Sequence, residues 1–338
     1  PHSGLDVQNP LEWWEALRDA LPVAVTPEMD VKGIAVAGQQ HGLVTLDADG
    51  HVVRPAPLWN NTAAAEDAAR LNAEADFAAA VGSRLVASIT IAKLAHLARA
   101  DPDALARTAA VGLPHDYLNF RLTGRLTTDR GDASGSGWWS PREGRERRDL
   151  LALAVGPEAA ERLTLPDVLG PDETAGRLTA EAAAELGLPA AIPVGPGTGD
   201  NMAAALGVGT TMGEIVVSLG TSGVAFAVTG VPTADETGEV CGFADAAGRF
   251  MPLACMLNCT RVVDTVAAML GIDRVAALDR AAETAPGAHG LLLMPYFGGE
   301  RTPNLPMTTG SLAGMTATNL TPDLLARAAV DGVAAGIA

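Results

Sequence analysis

The stretch Gly195-Pro196-Gly197-Thr198-Gly199-Asp200-Asn201 decides the fold, because the composition changes there and a glycine-rich turn ends in a carboxylate. The residues that follow, Asn201 to Leu206, predict a short helix. Asp200 should therefore lie at or near a helix N-terminus, where the helix dipole favours the ionised carboxylate. Two interpretations stay open: an ordinary N-cap, or a general base that takes a proton from a hydroxyl as its oxygen attacks phosphorus.

A second glycine-rich turn, Gly220-Thr221-Ser222-Gly223, joins two β-rich runs, Glu214 to Leu219 and Val224 to Val228, and predicts a hairpin. Its backbone N–H groups and the hydroxyls of Thr221 and Ser222 could bind a phosphate without a lysine. A plain hairpin turn is the alternative. Because the chain lacks both GxxxxGK[ST] and GxGxxG, the common nucleotide-binding loops are not indicated.

The length and composition indicate a globular chain with more than one domain. The chain has 338 residues, of which 48% are hydrophobic and 19% charged. Strands and helices alternate on both sides of the compositional change, and we place the domain boundary near residues 208 to 213. The sequence therefore predicts a two-domain α/β protein.

The net charge restricts the partners of the protein. Lys and Arg total 23 and Asp and Glu total 40, which gives a net charge of −17. Such a surface repels nucleic acid and anionic lipid, so we expect neither as a partner. The charge also repels ATP at long range, so a nucleotide site would depend on local donors and on magnesium bound with the phosphates.

The cysteine content and the N-terminal sequence point to a reducing cytoplasm. Cys241, Cys255 and Cys259 are odd in number and contain no CxxC pair, which argues against a disulfide framework or a zinc site. The start of the chain lacks the features of a signal peptide. The uncharged segment from Ile215 to Pro232 suits short buried strands better than a membrane helix.

Helix and strand signals mix along the first part of the chain. Asn9-Pro10 predicts the start of an amphipathic helix, with Asn9 as its cap. A strand is expected at 33–37, and 43–46 and 51–53 should form a hairpin around Asp47-Ala48-Asp49-Gly50. Alanine-rich helices are expected near 62–75, 92–100 and 102–110. Later elements are a helix from about Asn258, a strand near 291–295 and a helix from about Pro322.

Four residues of the first part have side chains that suit a sugar. Gln40 and His41 follow a predicted strand and offer amide and imidazole donors for hydroxyl groups. Trp59 and Asn60 place an aromatic face beside an amide, although this pair also fits a helix start. Each pair is weak evidence alone, since a single histidine is most often structural.

Taken together, the motifs resemble those of the FGGY family of carbohydrate kinases, and within it those of the D-xylulose kinases. The motifs occur along this chain in the order of the family, and they span nearly the whole chain. They are Gly38-Gln39-Gln40-His41-Gly42, Trp59-Asn60-Asn61-Thr62, Pro114-His115-Asp116-Tyr117, Arg121-Leu122-Thr123-Gly124, Thr127-Thr128-Asp129, Asp132-Ala133-Ser134-Gly135, Gly199-Asp200-Asn201, Gly220-Thr221-Ser222-Gly223 and Gly299-Glu300-Arg301-Thr302-Pro303.

The resemblance implies a two-domain ribonuclease-H-like fold, shared with actin-like ATPases, with an interdomain cleft. Residues 1–208 would form the sugar-binding domain and 213–338 the ATP-binding domain. The implied reaction is phosphorylation of D-xylulose by magnesium ATP, with Asp200 as general base. Gln40, His41 and Asn201 match sugar-binding positions, and Gly220, Thr221 and Ser222 fall in the turn that such kinases direct at the ATP phosphates. Family members are often dimers, so a homodimer is compatible with the resemblance.

The sequence also departs from the family pattern. Gln40, Asn61, Ala63 and His96 stand where Met, Asp, Arg and Trp are common. A family chain also has an N-terminal phosphate loop and a C-terminal adenosine-binding segment that this sequence does not show, so we expect it to be part of a longer kinase. A kinase for another ketose, a polyol or an aldonate, or a non-catalytic sugar-binding relative, is the alternative.

Overall fold

The computed structural model describes residues 6–26, 28–305 and 307–338. They fall into two compact units. Unit 1 comprises the chain up to Met212 together with 228–236 and 241–252, and unit 2 comprises 213–227, 237–240 and 253–338. The chain thus first passes from unit 1 to unit 2 at Met212, and two later segments return to unit 1.

Helices occur in both units. Their bounds are α1 Pro10–Ala24, α2 Ala65–Glu74, α3 Phe77–Val81, α4 Thr90–Ala100, α5 Pro102–Arg107, α6 Pro114–Thr123, α7 Arg130–Ala133, α8 Arg148–Val155, α9 Pro157–Arg162, α10 Ala180–Leu186, α11 Asp200–Gly207, α12 Thr260–Met269, α13 Arg274–Glu283 and α14 Pro322–Ile337. In the described part of the chain, no helix combines the length and apolar character needed to cross a bilayer.

The strands are mostly short. Their bounds are β1 Val7–Gln8, β2 Ala37–Gly38, β3 Val44–Leu46, β4 Ala56–Pro57, β5 Ala110–Gly112, β6 Thr127–Asp129, β7 Trp139–Ser140, β8 Arg145–Glu146, β9 Asp167–Leu169, β10 Gly176–Arg177, β11 Pro193–Val194, β12 Thr198–Gly199, β13 Ile215–Leu219, β14 Gly223–Ala227, β15 Cys241–Ala244, β16 Phe250–Met256, β17 Leu292–Met294 and β18 Ser311–Ala313.

The secondary structure predicted from local signals in unit 1 is largely confirmed. The Asn9 side chain accepts a hydrogen bond from the Leu11 N–H at 3.1 Å, and Pro10 begins α1. The hairpin forms as expected, because Val53 pairs with Thr45 and the Asp47 carboxylate accepts the N–H groups of its own turn. The helices near 62–75, 92–100 and 102–110 are α2, α4 and α5, and α5 is capped by Asp101.

Two predicted strands differ from the structure. The strand expected at 33–37 is reduced to a single bridge between Ile34 and Val194 and to β2. β13 and β14 form the expected hairpin, with Ile215 opposite Ala227, but the prediction that this segment is buried is wrong for β13. Ile215 is 71% exposed and Leu219 is 61% exposed, because β13 lies at the edge of its sheet and, within the described residues, pairs only with β14.

The core of unit 1 is aliphatic and centres on α4. Ile91, Leu94 and Leu151 are fully buried there, together with aromatic residues such as Phe77. Burial of each side chain of this size contributes about 1.5–3 kcal/mol to the stability of the fold. The polar residues described below therefore belong to a well-packed unit. In unit 2, α12 and α13 pack against α14, which begins at Pro322 as predicted and is capped by Thr321.

Candidate functional site

Asp200 is the first residue of α11, directly after the short strand β12. The N-cap position belongs to Gly199, and the Asp200 carboxylate accepts the N–H of Asn201 at 2.8 Å rather than an N–H one or two residues further into the helix. The prediction of a helix N-terminus is confirmed, whereas the N-cap interpretation is wrong. The Asp200 side chain is therefore not occupied by the capping role that would explain it structurally.

Three residues predicted to act on the substrate meet in one hydrogen-bonded group. Asn201 donates its side-chain amide to Gln40 Oε1 at 2.9 Å and to Asp200 Oδ1 at 3.1 Å. The meeting follows from topology, because β2 and β12 pair in parallel and end at the same edge, with Gln40 after one strand and Asp200 after the other. Residues that lie far apart in the sequence thus become neighbours.

Gln40 carries an unused donor in this group. Its side chain is only 5% exposed, and its Nε2 has no hydrogen-bond partner among the described residues. A buried amide N–H without a partner costs about 1–3 kcal/mol, so folded proteins seldom keep one without a reason. A ligand hydroxyl at this position would accept that bond.

Burial shifts the pKa of Asp200 in the direction opposite to that expected from the helix end. The helix N-terminus was expected to favour the carboxylate, yet burial raises the pKa of Asp200 above its ordinary value, and the hydrogen bonds from the Asn201 and Asp200 N–H groups only partly oppose this. Desolvation by the surrounding protein therefore outweighs the helix end, even though the residue as a whole is exposed to solvent. The direction of this pKa shift could not be predicted, because it depends on surroundings that the local sequence does not show.

His41 is buried beside this group, and its backbone is fixed. Its Nδ1 lies 3.0 Å from the Gly135 carbonyl oxygen, and its ring lies 5.5 Å from that of Phe243. With φ at 63°, His41 occupies the left-handed region that non-glycine residues seldom adopt. The His41 carbonyl oxygen accepts hydrogen bonds from the Lys93 ammonium at 3.0 Å and from the Thr90 hydroxyl at 3.3 Å. These bonds hold the loop that carries Gln40.

Glycines provide the space that these side chains occupy. A Cβ at Gly199 would lie 2.7 Å from Gln40 Cγ, and one at Gly135 would lie 2.6 Å from His41 Cε1. Distances under 3.0 Å force a displacement of the neighbour. The glycine content of the motifs is thus explained in part by close packing rather than by turn geometry.

A fully buried ionic cluster lies beneath the same strands. His115 Nδ1 is 2.8 Å from Asp132 Oδ2 and 3.3 Å from Asp116 Oδ1, and its Nε2 is 3.0 Å from the Pro196 carbonyl oxygen. A neutral imidazole has one N–H, whereas here both nitrogens face oxygens that can accept a proton. The geometry therefore favours the doubly protonated, positively charged ring.

The pKa values of the cluster agree with this assignment. Burial alone would lower the pKa of His115, but the charge of Asp116 and the hydrogen bond with Asp132 raise it to about 10. Burial raises the pKa of Asp116 to about 7 and that of Asp132 to about 6, against the opposing effect of His115. The negative charge of Asp200 also raises the pKa of Asp132, so the cluster and Asp200 interact electrostatically.

The sequence analysis assigned no role to His115, Asp116 or Asp132. The signal that could have revealed them is the mixture of ionisable residues with Pro, Leu and Ala in 113–117 and 132–135, which is unusual for a solvated surface. Their ligating atoms lie within 4.8 Å of one another, a spacing that could suit a metal ion. A ring protonated on both nitrogens cannot ligate a metal, so the cluster does not fit one.

Trp59 and Asn60 lie on the turn after β4, where Trp59 is 39% exposed. The structure assigns them no place in the hydrogen-bonded group of Gln40, Asn201 and Asp200. Their contact with a sugar stays a prediction.

The turn predicted to bind phosphate lies in unit 2. Some of its backbone groups already form hydrogen bonds within the protein. The Gly220 N–H donates to the Ser222 carbonyl at 3.1 Å, so this donor is already used. The carbonyls of Gly220 and Thr221 accept the N–H groups of Thr260 and Cys259 at the start of α12. Among the described residues, the hydroxyls of Thr221 and Ser222 have no protein partner and could donate to a phosphate.

Glu300 and Asn258 form a second buried polar network in unit 2. Glu300 is 1% exposed, and its carboxylate accepts the N–H groups of Leu257 and Arg301 and the amide of Asn258, all within 2.9 Å. Asn258 also donates to the Gly299 carbonyl and accepts the Phe297 N–H. This network explains the Gly299-Glu300-Arg301 motif as a structural element.

Comparison with known proteins places the chain in a family. Residues 1–207 match the FGGY family of carbohydrate kinases, N-terminal domain. The xylulose kinase of Streptomyces rubiginosus is 48% identical over 329 residues, which cover 96% of this chain and 65% of that protein. The xylulose kinase of Escherichia coli K12 is 34% identical, with coverage of 100% of this chain and 70% of that protein. The chain therefore spans about two thirds of the length of these relatives.

The solved structures agree. The xylulose kinase of Bifidobacterium adolescentis superposes with a TM-score of 0.84 at 39% identity, over 99% of this chain and 74% of that one. The gluconate kinase of Lactobacillus acidophilus, at 21% identity and a TM-score of 0.87, has the same fold. The expectation of an α/β fold of the actin-like ATPase type is thus confirmed, and the chain belongs to the FGGY family of carbohydrate kinases.

Proposed function

We propose that this chain provides the sugar-binding and catalytic residues of a kinase that phosphorylates D-xylulose at its 5-hydroxyl with magnesium ATP. The observation that carries the proposal is the Asn201 side chain, which joins Asp200 to Gln40 and so unites the predicted base with a predicted sugar ligand. The names of the relatives support the choice of sugar.

In this proposal, Asp200 accepts the proton of the attacking hydroxyl. The raised pKa of Asp200 suits a general base, because proton transfer is most effective when the pKa of the base approaches the working pH. Asn201 holds the carboxylate in place, and the unpartnered Gln40 Nε2 donates to a sugar hydroxyl. His41, Trp59 and Asn60 complete the sugar contacts.

The ATP phosphates are assigned to the turn of Gly220, Thr221 and Ser222, where the two hydroxyls supply the donors. Magnesium enters with ATP as part of that substrate, and its charge offsets the negative charge of the phosphates. We assign it no protein ligand. We place the reaction in the cytoplasm, where a reducing environment suits the three cysteine thiols.

The test is sugar-dependent ADP release by the polypeptide that the gene encodes, with D-xylulose, D-ribulose, L-ribulose, glycerol and gluconate. D-Xylulose should give the highest kcat/KM. Asp200→Asn should lower kcat by about 10²- to 10⁴-fold while sugar binding is kept, because only the proton acceptor is lost. Asp273→Asn is the matched control, because Asp273 caps α13 and asparagine caps equally well.

Each result of this panel has a distinct meaning. A different preferred sugar would replace D-xylulose by another ketose, a polyol or an aldonate while leaving the kinase chemistry in place. If no sugar stimulates ADP release from the folded protein, the kinase proposal fails and a non-catalytic sugar-binding role replaces it.

A further inference from the structure

Asp200 follows a strand of only two residues. β12 consists of Thr198 and Gly199 and, within the described residues, pairs only with β2. The Thr198 N–H donates to the Val36 carbonyl at 3.0 Å. A strand of this length makes few backbone hydrogen bonds, so side-chain contacts must contribute to the position of the residue that follows it.

The segment before β12 is held by side chains of α6. The Asn119 amide donates to the Pro196 carbonyl at 2.7 Å, and His115 Nε2 lies 3.0 Å from the same oxygen. Both α6 residues are fully buried. These contacts fix the chain at Pro196, but they leave the strand and its junction with Asp200 to other contacts.

Thr198 supplies a contact within the strand. Its hydroxyl donates to Asp129 Oδ2 at 2.7 Å, and both residues are buried. Asp129 caps α7, because its Oδ1 accepts the Asp132 N–H at 2.8 Å and its Oδ2 accepts the Gly131 N–H at 2.9 Å. These two bonds hold the carboxylate at the start of α7, which makes it a fixed acceptor for the Thr198 hydroxyl.

The chain just after α7 contacts the loop of Gln40 and His41, here called the sugar-binding loop. The Gly135 carbonyl oxygen lies 3.0 Å from His41 Nδ1, and a Cβ at Gly135 would lie 2.6 Å from His41 Cε1. The segment 129–135 therefore contacts β12 at one end and the sugar-binding loop at the other. A shift of β12 away from this segment changes the distance between Asp200 and the loop.

The Asp129 carboxylate does not depend on Thr198 for its hydrogen bonds, since two N–H groups of α7 already donate to it. The Asn201 bonds orient the Asp200 carboxylate, but Asn201 is the next residue in the chain and moves with it. The Thr198 bond joins the strand before Asp200 to α7. Its main consequence is therefore for the place of β12 and not for the charge of Asp129.

We propose that Thr198 is a positioning residue: the hydrogen bond of its hydroxyl to Asp129 holds β12 against α7 and so sets the place of Asp200 relative to the sugar-binding loop. The inference rests on the proposed function, in which Asp200 accepts the proton of the attacking hydroxyl. An error of about 1 Å in the place of a reacting group lowers the rate by on the order of 10²-fold. Thr198 thus acts on the rate of phosphoryl transfer through Asp200.

The test compares Thr198→Val with the wild type on the full polypeptide, because valine has nearly the same shape but no hydroxyl. D-Xylulose phosphorylation is measured in a single turnover, and the D-xylulose dissociation constant is measured by calorimetry without ATP. The rate should fall about ten- to hundred-fold. The dissociation constant should stay within about two-fold, because the sugar-binding loop keeps its contact with Gly135. An unchanged rate, or a loss confined to sugar binding, would overturn the proposal.

Two further variants separate positioning from a loss of stability. Thr198→Ser keeps the hydroxyl and should restore the rate nearly to that of the wild type. Thr108→Val is the matched control, because Thr108 is also buried and its hydroxyl donates to the Ala104 carbonyl at 2.8 Å, at the end of α5. Both valine variants should have a lower Tm, but only Thr198→Val should be slow. A slow Thr108→Val, or a Thr198→Ser as slow as Thr198→Val, would contradict the proposal.

Hydrogen exchange tests the position of β12 without a catalytic assay. The protection factor of the amide at position 198 should fall at least about five-fold in Thr198→Val and stay unchanged in Thr108→Val, since exchange reports local opening. Equal protection in the wild type and Thr198→Val would overturn the positioning role even if both phosphorylate D-xylulose. If the wild type phosphorylates no sugar, the proposed function fails, and the exchange result still decides whether Thr198 holds β12.

Discussion

Two polar groups, one in each compact unit, differ in how completely they are hydrogen-bonded, although each contains a buried side chain, Glu300 in one and Gln40 in the other. Around Glu300, the carboxylate and the Asn258 amide use their oxygens and nitrogen within the protein. Around Asp200, the Gln40 side-chain oxygen accepts a hydrogen bond, whereas its Nε2 has no partner among the described residues. Both groups come from motifs that the sequence analysis singled out.

This difference in hydrogen bonding distinguishes two reasons why a protein keeps a buried polar motif. A network that is complete within the protein fixes the backbone and needs no ligand, whereas a buried donor left over indicates that something else completes it. By this criterion, the Glu300 network is structural, and we expect the Asp200 group to bind a ligand. The following experiments test that division.

The largest expected effect on stability is at Glu300. Glu300→Ala should lower the free energy of unfolding by about 3 kcal/mol or more, because the N–H groups of Leu257 and Arg301 and the Asn258 amide lose their acceptor. Urea unfolding measures the change. Glu283→Ala, at an exposed position of α13, should stay within about 0.5 kcal/mol. A small change at Glu300 would show that its network is dispensable.

The His115 cluster beneath the Asp200 group should appear as a pH dependence of stability. Since folding raises the pKa of His115 from 6.5 to about 10, its stabilising contribution is complete below pH 6.5 and is lost as the pH rises towards 10. Between pH 7 and 9, the free energy of unfolding should fall by at most about 1.4 kcal/mol per pH unit through this group.

Urea unfolding at pH 7, 8 and 9 checks this slope. His115→Gln should remove its steepest part, and His289→Gln, at an exposed position, should retain it. The same slope in the wild type and in His115→Gln would show that another group is responsible.

The smallest effect is expected at Gln40. Gln40→Met keeps the side-chain volume and removes both the bond to Asn201 and the unpartnered N–H, so these two changes offset each other and stability should change by less than about 1 kcal/mol. Affinity for the sugar should fall roughly five-fold, as for the loss of one neutral hydrogen bond. Calorimetric titration with D-xylulose measures it. A large loss of stability with unchanged sugar affinity would place Gln40 with Glu300 as a structural residue.

Local signals were sufficient for much of the fold and for part of the site. The cap at Asn9, the hairpin around Asp47 and the cap at Asp101 depend on neighbouring residues, so they could be predicted. Asp200 could be placed at a helix start for the same reason. Its proximity to Gln40 was suggested only by the resemblance to the family, which assigns both residues to the sugar, and it depends on the parallel pairing of β2 and β12, which was not predicted.

The features that escaped prediction depend on burial. The raised pKa of Asp200 and the charged state of His115 arise from desolvation by residues that are distant in the sequence. The exposure of β13 depends likewise on which neighbours a strand has in its sheet. A local pattern identifies the chemical groups, but their surroundings determine their charge.

The close packing of the site glycines affects how mutational data on this protein should be interpreted. Besides Gly199 and Gly135, Gly38 and Gly197 leave no room for a Cβ, since it would lie within 2.8 Å of His115. In a deep mutational scan, these four positions should therefore be as intolerant as Asp200, although none of them offers a side chain to a substrate. Loss of activity alone will not distinguish residues that contact the sugar from glycines that only leave space for such residues.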